Sequence, residues 1–174
     1  MPKSMLQKQL EESHFEHGIA YVENESHGLK KLHTNELSHL NQILTGSKGD
    51  TASDPWRFEA AAVTLPTGHT QHFNVVSNPI NRAREILGFA QIMEGNGEII
   101  AGAQYLYTTL VKEHLFKDAN RRTAALATYW ILLSHDYEVD PHVLIKLKVG
   151  NLHDPKEYAD FIQRLEALIH KIQS

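Results

Sequence analysis

At 174 residues, with 41% hydrophobic and 22% charged side chains, the chain has the make-up of one globular domain with a real core, which excludes a disordered or fibrous segment. A formal net charge of -4 and a pI near 6.3 exclude an overall basic field for duplex nucleic acid or an anionic membrane. Cysteine is absent, no apolar run nears the roughly 20 residues of a membrane span, and MPKSMLQKQLEESHFEHG lacks a secretory apolar core, so the expected location is cytoplasmic.

From Met5 to Glu23 a polar-rich segment carrying Leu6, Leu10, Phe15 and Ile19 reads as a helix, interrupted or bent near Gly18. Thr34 reads as the N-cap of a short helix with Leu37, Leu40, Ile43 and Leu44 at helical spacing, stopped by Gly46. GSKGDTASDP, from Gly46 to Pro55, is a loop by composition. The period then becomes alternating. RFEAAAVTL and TQHFNVV, joined through Pro66, Thr67, Gly68 and His69, predict a β-hairpin from Phe58 to Val76, with Gly68 free to take positive φ. A lone hairpin is marginal in water, so this one must pack on helices or receive a partner strand.

Helical spacing resumes at SNPIN, where Ser77 or Asn78 can cap and Pro79 suits the first turn. Ile80, Ala83, Ile86, Leu87, Ala90 and Met93 form its apolar stripe, which ends at Gly95-Asn96-Gly97. The next helix, Glu98 to about His114, turns Ile99, Ile100, Ala103, Leu106, Leu110 and Val111 inward. From Asn120 the run RRTAALATYWILL is apolar nearly all round past its first turn, the pattern of a buried central helix. Two further helices are expected from Pro141 to Val149 and from Pro155 to Ile172, the last capped by Asp154. Without internal repeats, the reading is one all-α domain, residues 1–174, carrying one hairpin.

The stretch HLFKDANRR interrupts the apolar pattern between two of these helices. A helix N-terminus carries about half a positive charge and up to four unpaired N–H groups, so Arg121 and Arg122 in its first turn make sense when an anion sits there. Ala119 is small enough to let the backbone approach such an anion. Asp118 would repel bare phosphate but suits one carrying Mg²⁺. Asn120 can bond a phosphate oxygen or cap the helix, and His114 stands where it can take a proton from an approaching hydroxyl. A base, a metal ligand and an anion cradle form a phosphoryl- or nucleotidyl-transfer set.

His114, Phe116, Asp118, Ala119, Asn120, Arg121 and Arg122 resemble the signature of the Fic/Doc family, His-x-Phe-x-Asp/Glu-Gly/Ala-Asn-Gly/Lys-Arg. The similarity takes in the upstream hairpin, which matches the family's "flap", and covers the chain from about Thr34 to Tyr137 with variable flanking helices. The resemblance implies a Fic-type helical bundle in which His114 is the base toward a target-protein hydroxyl and Phe116 packs the loop. Asp118 would hold Mg²⁺. Asn120 and Arg122, with Phe116, Ala119 and Arg121 alongside, would surround the nucleotide of an ATP co-substrate. The target segment would add to the flap as a strand. Relatives that transfer AMP carry glycine at the position of Arg121 and a further arginine at that of Ala125; lysine at position 121 accompanies phosphate transfer in the Doc branch. AMP transfer, Doc-like phosphate transfer by a toxin of a toxin–antitoxin pair, and a degenerate binding protein are therefore all open at this point. The restraining pattern Ser/Thr-x-x-x-Glu-Gly/Asn of many relatives has its nearest counterpart in Thr109 and Glu113, followed by His114. That is no convincing brake, so a separate inhibitor or antitoxin is expected if the protein is restrained.

The remaining features have plainer readings. His14 with His17 and His69 with His72 lack the carboxylates that would complete a metal shell and read as surface histidines. Trp56 reads as an aromatic cover over the core, with Arg57 beside it. Tyr105, Tyr107, Tyr129 and Trp130 read as core and rim. YADFIQRLEALIHKI has an apolar stripe that would look the same in a dimer face or packed on its own domain.

Overall fold

The computed structural model describes residues 2–27, 30–46, 54–65 and 68–173. Pro66 and Thr67 of the hairpin turn, and residues 47–53 of the preceding loop, lie outside them. The described residues are 62% helix and form seven helices. None of these helices is long and apolar enough to cross a membrane.

Helix α1 (Met5–Ser26) begins where the Ser4 hydroxyl accepts from the Gln7 N–H, and it buries Phe15, Ile19 and Val22. It runs through Gly18 without interruption, contrary to the expected bend. A Cβ there would lie 2.5 Å from Leu126 Cδ1, so this glycine serves close helix packing. Leu6 and Leu10 are exposed. Helix α2 (Thr34–Thr45) takes His33 rather than Thr34 as its N-cap, because the His33 N–H finds the Glu36 carboxylate at 3.0 Å. It ends at Gly46, in the left-handed conformation at φ 71°.

Strands β1 (Ala61–Thr64) and β2 (Thr70–Phe73) form the hairpin in antiparallel register, Ala61 opposite Phe73 and Thr64 opposite Thr70, with Gly68 at φ 83°. Helix α3 (Pro79–Gly95) starts from Asn78, whose side chain accepts from the Asn81 N–H, and buries Ala83, Ile86, Leu87 and Ala90 while leaving Ile80 exposed. Helix α4 (Ile99–Glu113) packs closely on α3 at Gly102, where a Cβ would come within 3.3 Å of the Ala90 carbonyl.

Helix α5 (Asn120–Ser134) is the axis of the bundle, and every residue from Thr123 to Leu132 on it is buried. Side chains such as Leu126, Trp130 and Leu132 each contribute roughly 1.5–3 kcal/mol by leaving water, which makes this helix the main stabilising element. Tyr107 and Trp130 are core and Tyr105 is at the rim, in line with the sequence reading.

The C-terminal part departs from expectation. Strand β3 (Tyr137–Glu138) follows a left-handed turn at Asp136, φ 60°. Helix α6 (Pro141–Lys146) and helix α7 (Pro155–Ala167) both stop short of their expected ends at Val149 and Ile172. The Asp154 side chain caps α7 by accepting from the Glu157 N–H. Beyond α7, strand β4 (His170–Lys171) pairs antiparallel with β3, and the Ile172 N–H reaches the Asp136 carbonyl at 2.7 Å. Inter-strand pairing satisfies that backbone better than another helical turn with little left to bury. Phe161 and Leu165 of α7 pack on the protein's own core, Phe161 stacked on Tyr107.

Candidate active site

The corner between α4 and α5, residues 114–119, is built from two left-handed residues around a short extended piece. His114, at φ 54°, ends α4 while its N–H still bonds the Leu110 carbonyl; Ala119, at φ 57°, opens α5 and accepts from the Thr123 N–H. Left-handed backbone is costly for residues with a Cβ, by roughly 1–2 kcal/mol each, so the surroundings must hold them. Ala119 is also nearly fully buried, which limits its position to a small side chain.

Three sets of contacts hold the corner. From inside, Asn120 bonds Phe116 twice: its Oδ1 accepts from the Phe116 N–H and its Nδ2 donates to the Phe116 carbonyl, both at 2.8 Å. From the flap side, the segment Pro55 to Arg57 runs antiparallel to the corner. The Arg57 N–H donates to the Leu115 carbonyl at 2.8 Å, the Lys117 N–H to the Pro55 carbonyl at 3.0 Å, and Trp56 stacks on Phe116 with centroids 4.5 Å apart. From α2, the Asn41 amide donates to the Asp118 carbonyl at 2.8 Å and to the Thr123 hydroxyl at 3.0 Å.

The seven motif residues thus do not converge on one place. Phe116 and Ala119 are buried in the core, and Asn120 faces inward to the loop it closes. His114, Asn120 and Arg121 line a cavity of about 220 Å³ under the flap, shared with Val63, Gln71 and Phe73 on one side and Val149 and Leu152 on the other. Arg122 instead lines a separate recess against α1 and α6, among Glu12, Glu16, His142 and Lys146. The two arginines, expected to share one anion, open onto different cavities. Asp118 is exposed on the loop, and one of its oxygens accepts from its own neighbour, the Ala119 N–H, at 2.6 Å.

The electrostatics of this corner are uneven. Burial first, and then the nearby Arg57 charge, push the His114 imidazole from its ordinary 6.5 down to about 4, against an opposing pull from Asp118. The ring is therefore neutral at physiological pH and able to accept a proton. Arg121 donates to the Leu147 carbonyl in the loop after α6. Its side chain also lies beside the buried Tyr107 hydroxyl, whereas Nη1 of Arg122 is buried with no acceptor among the described residues. Such a charged donor is costly to leave unpaired, by more than the 1–3 kcal/mol of a neutral group, and it suits an anion. Glu113, the nearest counterpart of a restraining glutamate, is tied to Arg82 at 2.6 Å.

Sequence reading passed over Asn41, Phe73 and the bracing role of Trp56 and Arg57. Asn41 left a trace, since it shares the inward face of α2 with Leu37, Leu40 and Leu44. The others act through partners more than 40 residues away, as in the 57-residue separation of Arg57 from His114.

No family model matches the sequence, and no curated protein is similar to it at the sequence level. Its architecture, a helical bundle whose central corner is overhung by a hairpin, is that of the Fic domains. A Fic-domain-containing signaling protein from Bacteroides thetaiotaomicron superposes with a TM-score of 0.70 at 14% identity, over 97% of this chain and 70% of that one. IbpAFic2 gives 0.66 at 17% identity over 96% of this chain, which spans 56% of that protein's length; it has also been solved covalently tethered to Cdc42. The N-terminal Fic domain of a VirB-translocated Bep effector from Bartonella quintana, solved with bound ADP, gives 0.57 at 14% identity over 93% of this chain and 87% of that one.

Proposed function

We propose that this protein transfers AMP from Mg-ATP to a hydroxyl group of a target protein docked on the flap. The observation that carries this reading is the first turn of α5, which puts Arg121 in the cavity lined by the neutral His114 and Arg122, with a buried donor lacking an acceptor, in a second recess. The bound ADP and the tethered protein of the two Fic-fold neighbours supply the nucleotide and the protein target as classes of ligand.

In this reading the target hydroxyl oxygen attacks the α-phosphorus, the bond to the departing pyrophosphate breaks, and the hydroxyl proton passes to His114. Arg122, from the recess on its side of the helix start, and the first-turn N–H groups of α5 hold phosphate oxygens. Asp118 is a single exposed carboxylate, and among the described residues no group of three or more His, Asp or Glu surrounds a metal position. It fits Mg²⁺ in company with phosphate oxygens and water, the usual manner in which this ion is held with nucleotides. When bound, Mg²⁺ neutralises phosphate charge. A separate inhibitor protein is the expected form of restraint.

Arg121 favours a second reading. Its side chain stands in the flap cavity, where a smaller residue would leave room, and Doc-like transfer of a phosphate is the alternative chemistry. Incubating the protein and cell lysate with ATP labelled on the α-phosphate, and separately on the γ-phosphate, separates the two. Protein labelling from the α position alone is the expected result; labelling from γ alone assigns a kinase. Nucleotide binding with no transfer of either label assigns a binding protein.

A further inference from the structure

We propose that Arg57 is a positioning residue that couples the flap to His114, one buried guanidinium holding the carbonyl of the base and the carbonyls at the foot of both flap strands. The proposal rests on the reading of His114 as the base.

Arg57 is 4% exposed, yet its partners are all main-chain carbonyls. Nε donates to His114 at 2.5 Å and Nη2 to Glu113 at 3.1 Å, the last two carbonyls at the end of α4. The same group bonds Asn74 through Nη1 and Nη2 at 3.2 Å and Glu59 through Nη1. Asn74 directly follows β2, and Glu59 stands just before β1. A buried cation without a counter-ion is expensive unless dipoles replace its water, and the negative end of α4 supplies part of that compensation. Only a planar fork with donors in several directions reaches all four acceptors; a lysine ammonium is a point charge with three donors.

Two structural points turn this clamp into a coupling. The carbonyls lie on both sides of the site, so the flap cannot shift at its base without pulling on the backbone of His114. In addition, Phe73, the last residue of β2, stacks on the His114 ring with centroids 4.2 Å apart and planes 24° apart. Main chain and ring of the base are thus both held by the flap. A peptide docking on the flap would act on the base through the same contacts.

The test is Arg57→Lys, measured on the full chain by three readouts: ATP affinity by calorimetry, kcat against KM for target labelling, and the ring-current shift of the His114 imidazole protons under Phe73. Expected are ATP affinity within about twofold of wild type, a kcat lowered about tenfold or more, as misplacement of a reacting group produces, and a loss of ring-current shift. A lower melting temperature with kcat per folded molecule and ring-current shift both unchanged would overturn the proposal, since a merely structural arginine predicts that. An altered ring-current shift with unaltered kcat would overturn it equally. Should the variant fail to fold, amide exchange on the wild-type chain decides. The Arg57 N–H, bonded to Leu115, and the Leu65 N–H, bonded to His69 across the hairpin, are expected to open together. Opening rates differing by about tenfold or more would overturn the coupling. A wild-type protein that transfers neither α nor γ label sinks the functional reading, whereas the coupling is judged by exchange and ring-current shift alone.

Discussion

Phe73 of the hairpin lies flat against His114 of the helical corner, ring on ring at 4.2 Å, so the candidate base is covered by the element proposed to present its substrate. This cover removes water from the imidazole and is part of the burial that keeps it neutral.

That neutrality has a cost in acid. Above pH 6.5 the folded and unfolded chains both carry a neutral histidine and the site adds no pH dependence. Between 6.5 and about 4 the unfolded chain takes up a proton that the folded site refuses, so stability falls as pH falls through this window. Allowing for partial screening by solvent, the loss is about 2 kcal/mol. Urea unfolding curves from pH 7 to pH 4 should give a shallower decline for His114→Gln than for wild type; parallel declines would contradict the shift.

His114→Ala should abolish transfer while sparing the scaffold. Loss of a general base typically costs 10²- to 10⁴-fold, and the phosphate contacts lie on α5. Steady-state labelling is expected to fall by about three orders of magnitude with ATP affinity nearly unchanged. Retained labelling would remove His114 from the role of base.

Arg122→Ala is expected to act oppositely, on binding rather than on stability. Its Nη1 is a buried donor without an acceptor, so its removal leaves the melting temperature equal or slightly higher. Nucleotide affinity should weaken about 10- to 100-fold, as loss of a charge-assisted bond implies. Calorimetry with Mg-ATP measures this, and unaltered affinity would count against the cradle.

Asn120→Ala removes two bonds and strands the Phe116 N–H and carbonyl in the interior. The expected destabilisation is about 2–4 kcal/mol, a fall in melting temperature of roughly 5–15 °C for a chain of this size. A thermal melt within about 2 °C of wild type would show that the bonds are dispensable.

Gly18→Ala probes the packing of α1 on α5. With Leu126 Cδ1 only 2.5 Å from the new methyl, the helices must separate or Leu126 must leave its rotamer, at about 1–3 kcal/mol. Helix propensity alone predicts the reverse, a gain of up to about 1 kcal/mol. The sign of the change in chemical denaturation therefore decides between close packing and a loose contact.

Much of the architecture was legible in local pattern. The all-round apolar run of α5, the Asn78 and Asp154 caps, the left-handed stop at Gly46 and the hairpin are short-range features, and each stands where periodicity and turn chemistry put it. Apart from the α2 cap, which is His33 rather than Thr34, the misreadings concern long-range partners. Gly18 reads as an interruption or bend because glycine costs a helix, but its meaning is set by Leu126, far along the chain. The end of the chain read as helix because Ile169 and Ile172 fit a helical stripe, yet β3 offers the backbone a better partner there. At the site, motif spacing located the corner and its residue types. Successive helical positions diverge by about 100°, which is why adjacent arginines open onto different cavities.

The two left-handed residues at the ends of the corner also set a length rule. Between them Phe116 must face Trp56 while its backbone meets Asn120, and alternate residues of an extended segment point to opposite sides. One residue added or removed between His114 and Asn120 would turn Phe116 out into solvent and carry the Asn120 amide off its mark. The corner should therefore admit many exchanges of side chain but no change of length, and a library of single-codon insertions would map its borders as a gap in the surviving clones.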